Sequence, residues 1–247
     1  MMLEAKEITA SYHAEGRGRR FFHGKKEVLK GISFSLEKGQ CIGIIGANGT
    51  GKSTLLSILA GVRRPDSGQL LFQGEDLFLK QNKKRLRKIS GYVPQDNPLM
   101  EELSVFDNLK LWYIDKKRLE EELKSGVLSD FGLEEYLKVP VNKLSGGLKK
   151  RVNIACAIAE DPDLLIMDEP TQALDMICKK DIMDYMEKCK KCGKSIIFTT
   201  HDETEFKICD KLFLLHAGKL KEVSMHMGDN DCLRSQLIEL QRNLQGR

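Results

Sequence analysis

The chain contains short runs of apolar residues, separated by longer stretches in which apolar residues recur at helical spacing. Runs of four or five mostly apolar residues lie at Cys41–Ile45, Leu164–Met167 and 195–198. Such runs are typical of buried strands in a parallel sheet, because both faces of each strand are covered. Residues 55–60 and 149–159 have the character of helices. This alternation of strands and helices predicts an α/β fold.

Two further segments extend this predicted core. Residues 1–40, with a return at Gly68–Phe72, predict an antiparallel β subdomain. Residues 105–113 and 116–124 predict helices, and we assign them to an α-helical subdomain inserted at about 96–145. The sequence contains no internal repeat, so we expect a single domain over residues 1–247.

The last predicted element is a helical tail at about 230–247. Four leucines recur there at spacings of four, three and four, which places them on one face of a helix. The stripe either packs against the body of the domain or binds a partner, and packing is favoured. Its members are Leu233, Leu237, Leu240 and Leu244.

A glycine-rich segment joins the first apolar run to the first helix and matches the pattern G-x-x-x-x-G-K-S/T. The glycines let backbone N–H groups approach phosphate oxygens, and the lysine adds a charge for the β- and γ-phosphates. The serine hydroxyl can bind Mg²⁺, and the helix N-terminus contributes about half a positive charge. An ordinary glycine turn does not require the whole pattern, so we favour a phosphate-binding loop. Its predicted binding residues are Gly46, Asn48, Gly49, Gly51, Lys52, Ser53 and Thr54.

Two carboxylates follow the second apolar run. Asp168 and Glu169 come directly after the predicted strand and precede Pro170. Adjacent strand residues point in opposite directions, so the two side chains can do different work. We expect Asp168 to hold Mg²⁺ and Glu169 to orient and deprotonate an attacking water. A solvated turn is the alternative, and the glycine loop makes it the weaker one.

The segment Leu144-Ser145-Gly146-Gly147-Leu148, together with these two motifs, resembles the signature of the ATP-binding cassette (ABC) ATPases, the motor subunits of ABC transporters. The resemblance implies a P-loop NTPase core that binds and hydrolyses ATP with Mg²⁺. It also implies that Ser145, Gly146 and Gly147 contact the γ-phosphate bound to a second cassette in a head-to-tail dimer. Ser145 can at the same time be the N-cap of the following helix.

Three more segments resemble motifs of this family, in the family's order. Gln95, in 92–95, corresponds to a residue that senses the metal and the nucleophilic water. Asp175, in 173–175, belongs to a loop that crosses the dimer interface. His201, in 199–202, corresponds to a residue that contacts the γ-phosphate and stabilises the transition state. The resemblance thus gives Glu169, His201, Lys52 and Gln95 catalytic roles, and the implied metal-binding residues are Ser53, Gln95 and Asp168.

The residue that stacks on the adenine is left open between three aromatic residues. Tyr12 fits the early position at which the family places an aromatic side chain, and it is favoured over Phe21 and Phe22. Alternatively, Tyr12 only packs at the end of an edge strand. Two departures from the family's pattern concern the coupling of the paired sites: Leu148 replaces a glutamine of the signature, and Gln172 stands where a small polar residue is usual.

Composition gives only weak indications of partners. The chain has 40 basic and 36 acidic residues, a formal charge of +4, so we expect no nucleic acid partner. A basic cluster at 83–88 is best interpreted as a solvated helix face. Seven cysteines fit a reducing compartment, and Cys189 and Cys192 are interpreted as a chance pair at a helix end rather than a metal or redox site.

The resemblance therefore implies an ATPase subunit that works with partners. No apolar run approaches the roughly 18–20 residues of a membrane-spanning helix, so we expect a cytoplasmic protein, peripheral on the membrane. The expected partners are a separate multispanning permease and a second cassette, in a homodimer or a heterodimer. The run 102–109 and Leu148 favour an exporter. An importer ATPase and a soluble ABC ATPase, such as an iron–sulfur assembly type, are the alternatives, whereas the signature disfavours a small-molecule kinase.

Overall fold

The computed structural model describes residues 2–13, 25–79, 82, 85 and 88–224. Its strands are β1 (Leu3–His13), β2 (Lys25–Leu36), β3 (Cys41–Ile45), β4 (Ser67–Phe72), β5 (Glu75–Asp76), β6 (Ser90–Val93), β7 (Leu164–Met167), β8 (Ser195–Thr199), β9 (Lys211–His216) and β10 (Lys219–Val223). Its α-helices are α1 (Lys52–Leu59), α2 (Val105–Trp112), α3 (Lys116–Ser125), α4 (Val127–Asp130), α5 (Gly146–Ala157) and α6 (Met176–Lys191). Short 3₁₀ helices lie at Leu133–Tyr136, Val141–Lys143 and Glu203–Ile208.

The three apolar runs lie side by side in a six-stranded sheet with the order β10-β9-β3-β8-β7-β6. Strands β9, β3, β8, β7 and β6 pair in parallel, and β10 is antiparallel to β9. Because parallel strands end at the same edge, the segments that follow β3, β6, β7 and β8 meet at one edge of this sheet. This strand order brings the residues of the site together, and it cannot be deduced from the sequence patterns alone.

The sheet lies between two apolar layers, and its strands contribute alternately to both. Leu164 and Ile166 of β7 pack with α1 and with the small β-sheet, whereas Leu165 and Met167 pack with α2, α5 and α6. All four side chains are fully buried. This two-sided burial is why β7 has no polar residue.

The antiparallel β subdomain is confirmed as a four-stranded sheet with the order β2-β1-β4-β5. Strand β1 pairs with β2 on one side and with β4 on the other, in antiparallel register. Strand β4 pairs with β1 only from Leu3 to Thr9, whereas Tyr12 pairs with Lys26 of β2. Tyr12 therefore lies at the end of β1, beyond its pairing with β4. Register shifts between Ala5 and Ser11 mark irregular pairing near the end of β1 that carries Tyr12.

The helices predicted at 105–113 and 116–124 are present as α2 and α3, within one residue at each end. Helix α6 ends at Lys191, and Cys192 is its C-cap, so Cys189 and Cys192 flank a helix end as expected; both are free thiols. None of the helices in the described part of the chain combines the length and apolar character that crossing a bilayer requires. Phe21, Phe22, the tail at 230–247 and most of the cluster at 83–88 lie outside the described residues.

Candidate active site

The phosphate-loop motif forms the turn between β3 and α1, and its glycines are required by the backbone. Gly46 has φ +154°, and a Cβ there would lie 2.3 Å from the carbonyl oxygen of Leu215 in β9. Gly51 has φ +107°, and its Cβ would lie 2.7 Å from a methyl carbon of Val28. By contrast, a Cβ on Gly49 would meet no atom within 4 Å. Two of the glycines therefore also fit the loop tightly against its own domain, a reason that the motif alone does not reveal.

Lys52 is the charged residue of the loop, and only 5% of its side chain is exposed. Its Nζ donates to the carbonyl oxygens of Gly46, at 2.7 Å, and Ala47, at 3.4 Å. Nζ also lies 3.7 Å from Oε1 of Glu169. Burial lowers the pKa of Lys52, and the charges of Glu169 and Asp168 offset part of this effect. The ammonium group is held at the mouth of the loop, where it could donate a hydrogen bond to a phosphate oxygen.

The two carboxylates diverge where β7 ends. Asp168 is 1% exposed, and its Oδ1 accepts a hydrogen bond of 2.6 Å from the hydroxyl of Thr199 on β8. Glu169 has left-handed backbone geometry with φ +47°, and its N–H donates to the same hydroxyl at 2.9 Å. The left-handed geometry, rather than the alternation of an extended strand, turns the Glu169 carboxylate toward Lys52. Thr199 fixes both residues from the neighbouring strand.

His201 follows β8 and completes a cluster of three side chains. Its Nε2 lies 3.0 Å from Oε1 of Glu169 and 3.1 Å from Nζ of Lys52. The histidine side chain is 44% exposed, whereas that of Glu169 is 7% exposed. A buried base and a buried cation thus share contact with an imidazole that also faces solvent.

Gln95, after β6, reaches the same cluster. Its side-chain amide donates to Oε2 of Glu169 at 3.3 Å and to Oε1 of Gln172 at 2.8 Å. Gln172, noted from the sequence only as a departure, therefore orients Gln95. The backbone of this segment is held by Lys150 of α5, whose buried Nζ donates to the carbonyls of Pro94, at 3.3 Å, and Gln95, at 3.1 Å.

Lys150 is a residue that sequence reasoning missed. It is 5% exposed, and burial lowers its pKa, offset in part by nearby Asp168, Asp96 and Glu169. A lysine in a basic stretch that follows the signature is predicted to lie on the surface. The available signal is its phase on α5, since Gly147, Asn153 and Ile154, three or four residues away on the same face of the helix, are also buried.

A cavity of about 460 Å³ lies over the phosphate loop. Its lining combines the loop, two residues of the cluster and the aromatic residue of β1. The Tyr12 hydroxyl lies 2.9 Å from Oγ1 of Thr54, so this ring is tied to the first turn of α1. The lining residues are Tyr12, Lys26, Val28, Asn48, Gly49, Gly51, Lys52, Ser53, Thr54, Gln95 and Glu169.

The signature does not line this cavity. Ser145 is confirmed as the N-cap of α5, because its Oγ accepts from the N–H of Leu148 at 3.3 Å. Asp175 is the N-cap of α6, where its Oδ1 accepts from the N–H of Cys178 at 2.9 Å; that hydrogen bond lowers the pKa of Asp175. A Cβ on Gly147 would lie 2.4 Å from the sulfur of Cys178. The two helix starts are therefore packed together, apart from the phosphate loop of the same chain.

Comparison with known proteins agrees with this geometry. The family model described as ABC transporter matches residues 29–172. The chain is 36% identical over 224 residues to a linearmycin resistance ATP-binding protein of Bacillus subtilis (strain 168). The matched region covers 89% of this chain and 68% of that protein. It is 37% identical over 224 residues to a Nod factor export ATP-binding protein of Rhizobium sp. (strain N33), over 88% of this chain and 72% of that protein.

A solved structure shows the same fold. It is a dimeric ATP-binding cassette in a post-hydrolysis state bound to ADP and Pi, with a TM-score of 0.76 and 25% identity. The match covers 91% of this chain and all of that one. The fold, the phosphate loop and the matching family model together show that this chain belongs to the ABC transporter family, as an ATP-binding subunit that is an ATPase.

Proposed function

We propose that this ATPase powers an ABC exporter whose membrane-spanning permease is a separate polypeptide. The observation that carries the proposal is the cluster of Lys52, Glu169 and His201, within 3.0 to 3.7 Å of one another at the carboxyl edge of the sheet. The names of the two relatives, one for export and one for resistance, support outward transport. The run 102–109 and Leu148 support the same direction.

The cluster suggests how hydrolysis proceeds. Phosphoryl transfer to water depends on positioning and charge compensation, which Lys52, the loop amides and His201 supply. A bound phosphate would compete with Glu169 for the ammonium group of Lys52. The carboxylate would then be free to accept a proton from the attacking water, while Gln95 keeps hold of its other oxygen.

The donor set fits Mg²⁺ that arrives with the nucleotide. Ser53, Gln95 and Asp168 offer a hydroxyl, an amide and one carboxylate, which are oxygen ligands of the kind Mg²⁺ takes. Among the described residues there is no group of three or more His, Cys, Asp or Glu side chains placed to hold a metal alone. Phosphate oxygens and waters would complete the coordination of the ion, which would supply charge neutralisation of the phosphates.

The position of the signature supports a composite site in a head-to-tail dimer. Ser145 and Gly146 lie at an exposed helix start, outside the cavity that the phosphate loop forms. Exposed amides at a helix N-terminus attract phosphate. A second cassette, identical or different, would present its own signature to the phosphate held here, so ATP would join the two subunits. Asp175, packed beside Gly147, would lie in the same interface.

The transporter hypothesis is tested by purifying the protein from membranes. Tagged Glu169→Gln protein is purified from detergent-solubilised membranes with ATP and Mg²⁺, and co-purifying proteins are identified by mass spectrometry. The variant should hold the ATP-bound assembly, because it binds ATP but hydrolyses it slowly. A Glu169→Gln, Lys52→Ala double variant is the matched control. It lacks the ammonium group that binds the phosphates of ATP, so it should not hold the ATP-bound assembly.

Recovery of a stoichiometric multispanning protein supports the transporter hypothesis and identifies the permease whose substrate and direction of transport must then be studied. It would also support the peripheral location on the membrane that the sequence predicts. Recovery of a soluble complex alone contradicts the proposal. In that case the importer alternative fails as well, and the chain is an ABC ATPase that drives assembly of cytosolic complexes.

A further inference from the structure

Tyr12, the aromatic residue that lines the phosphate-loop cavity, is held by a contact that the family motifs do not include. The guanidinium carbon of Arg63 lies 4.0 Å from the centroid of its ring. At that distance a guanidinium and an aromatic face attract each other as a cation–π pair. The ring is also tied at its edge, through its hydroxyl, to Thr54. Tyr12 nevertheless remains 47% exposed.

Arg63 is itself fixed to the strand that carries Tyr12. Its Nη2 donates to the carbonyl oxygen of Ser11 at 2.7 Å, and its own N–H donates to the carbonyl of Ser57 in α1 at 3.1 Å. Further along the same loop, the N–H of Asp66 donates to the carbonyl of Thr9 at 2.8 Å, and the Asp66 carboxylate accepts from the hydroxyl of Ser11. The loop after α1 therefore clamps the end of β1.

The Tyr12 ring lies between Arg63 and the phosphate-loop site. Tyr12 is among the residues that line the cavity of about 460 Å³ over the phosphate loop, and Arg63 is not. The guanidinium therefore contacts the ring without lining the cavity itself. A planar base held in that cavity could stack on the ring, next to the loop that would hold its phosphates.

We propose that Arg63 is a positioning residue for the base of the bound nucleotide: it holds the Tyr12 ring in the orientation on which the base stacks. The inference rests on the proposed nucleotide site at the phosphate loop. A side chain that is already ordered loses less freedom when a ligand packs on it, so binding is tighter. Arg63 acts through Tyr12 and touches no phosphate.

The test compares ligands with and without a base. Calorimetry measures the dissociation constants of MgATP and of magnesium tripolyphosphate for the wild type, Arg63→Leu and Arg63→Lys. Removing the cation should weaken MgATP binding by about 2- to 10-fold, the range expected for a cation–π contact and one ordered side chain. Tripolyphosphate binding should stay unchanged, and Arg63→Lys should fall between Arg63→Leu and the wild type.

Arg64→Leu is the matched control. Arg64 is the next residue, also an arginine, but its Nη2 donates to the carbonyl of Phe78 and it is exposed. This variant should bind both ligands as the wild type does. In a Tyr12→Leu background, Arg63→Leu should weaken MgATP binding no further, because the ring through which it acts is gone.

Three outcomes would overturn the inference. They are unchanged MgATP binding in Arg63→Leu, a fall in tripolyphosphate and MgATP binding by the same factor, and an effect of Arg63→Leu that persists in the Tyr12→Leu background. A different result, in which the wild type binds neither ligand, contradicts the proposed nucleotide site itself rather than the role of Arg63.

Discussion

Glu169 shows how much a single residue of this protein depends on its neighbours. Its carboxylate is almost fully buried and contacts Lys52, His201 and Gln95, and its backbone is held by Thr199. A buried carboxylate with three polar partners is well ordered, which a base that must accept a proton from one water requires.

The residue scale gives the first prediction. Glu169→Gln keeps the shape and the hydrogen-bonding capacity of the side chain but removes the base, so ATP binding should persist while turnover falls by about 10²–10⁴-fold. Phosphate release measures turnover, and equilibrium binding of ATP is measured alongside it. Glu160→Gln, an exposed glutamate just before β7, is the control and should hydrolyse ATP normally. Undiminished turnover in Glu169→Gln would remove Glu169 from this role.

At the scale of elements, the two helices that begin with Ser145 and Asp175 as caps are joined by Arg151. Its Nη1 donates to the carbonyl of Phe131 at 3.0 Å, and its Nη2 pairs with Asp181 of α6 at 2.5 Å. The Arg151 side chain is 15% exposed and that of Asp181 is 33% exposed. This partly buried pair fixes α5 against α6, about one and a half turns after the start of each helix.

Removing that pair should destabilise the domain. Arg151→Ala leaves a carbonyl and a carboxylate without their donor, so the free energy of unfolding should fall by about 1–3 kcal/mol. Urea unfolding followed by circular dichroism measures the change. Asp181→Asn, which retains an acceptor, should cost less. If the effects of the two substitutions simply add in the double variant, then Arg151 and Asp181 are not energetically coupled.

At the scale of the whole molecule, the separation of the signature from the phosphate loop predicts association that depends on ATP. Glu169→Gln with MgATP should shift from monomer to dimer in light scattering, because in the proposed composite site ATP bound to one chain would offer its phosphate to the signature of another. ADP lacks the γ-phosphate and should not cause the shift. Adding Ser145→Arg, which places a bulky side chain at the exposed cap, should prevent it. A monomer under every condition would contradict a homodimer and would leave the composite site only to a pairing with a different cassette.

Much of the candidate site could be predicted because the phosphate loop and the carboxylate pair are local patterns. Gly46, Gly51 and Lys52 lie in one turn, and the chemistry of phosphate dictates residue types at fixed spacing there. The residues that hold other parts of the candidate site in place could not be predicted in this way. Thr199, Lys150 and Arg63 act across gaps of about 30 or more residues, and each is an ordinary polar residue in its own segment.

By itself, the sequence determined the α/β class and the antiparallel β subdomain, because apolar periodicity and turn chemistry are local patterns, and its motifs resemble those of the ABC family. Only the tertiary structure decided that β3 lies between β9 and β8, with β7 and β6 beyond β8. That order brings Lys52, Glu169, His201 and Gln95 to one edge. It also brought Arg63 to within 4.0 Å of the centre of the Tyr12 ring. Strand order and side-chain contacts depend on packing between distant segments, which no local pattern specifies.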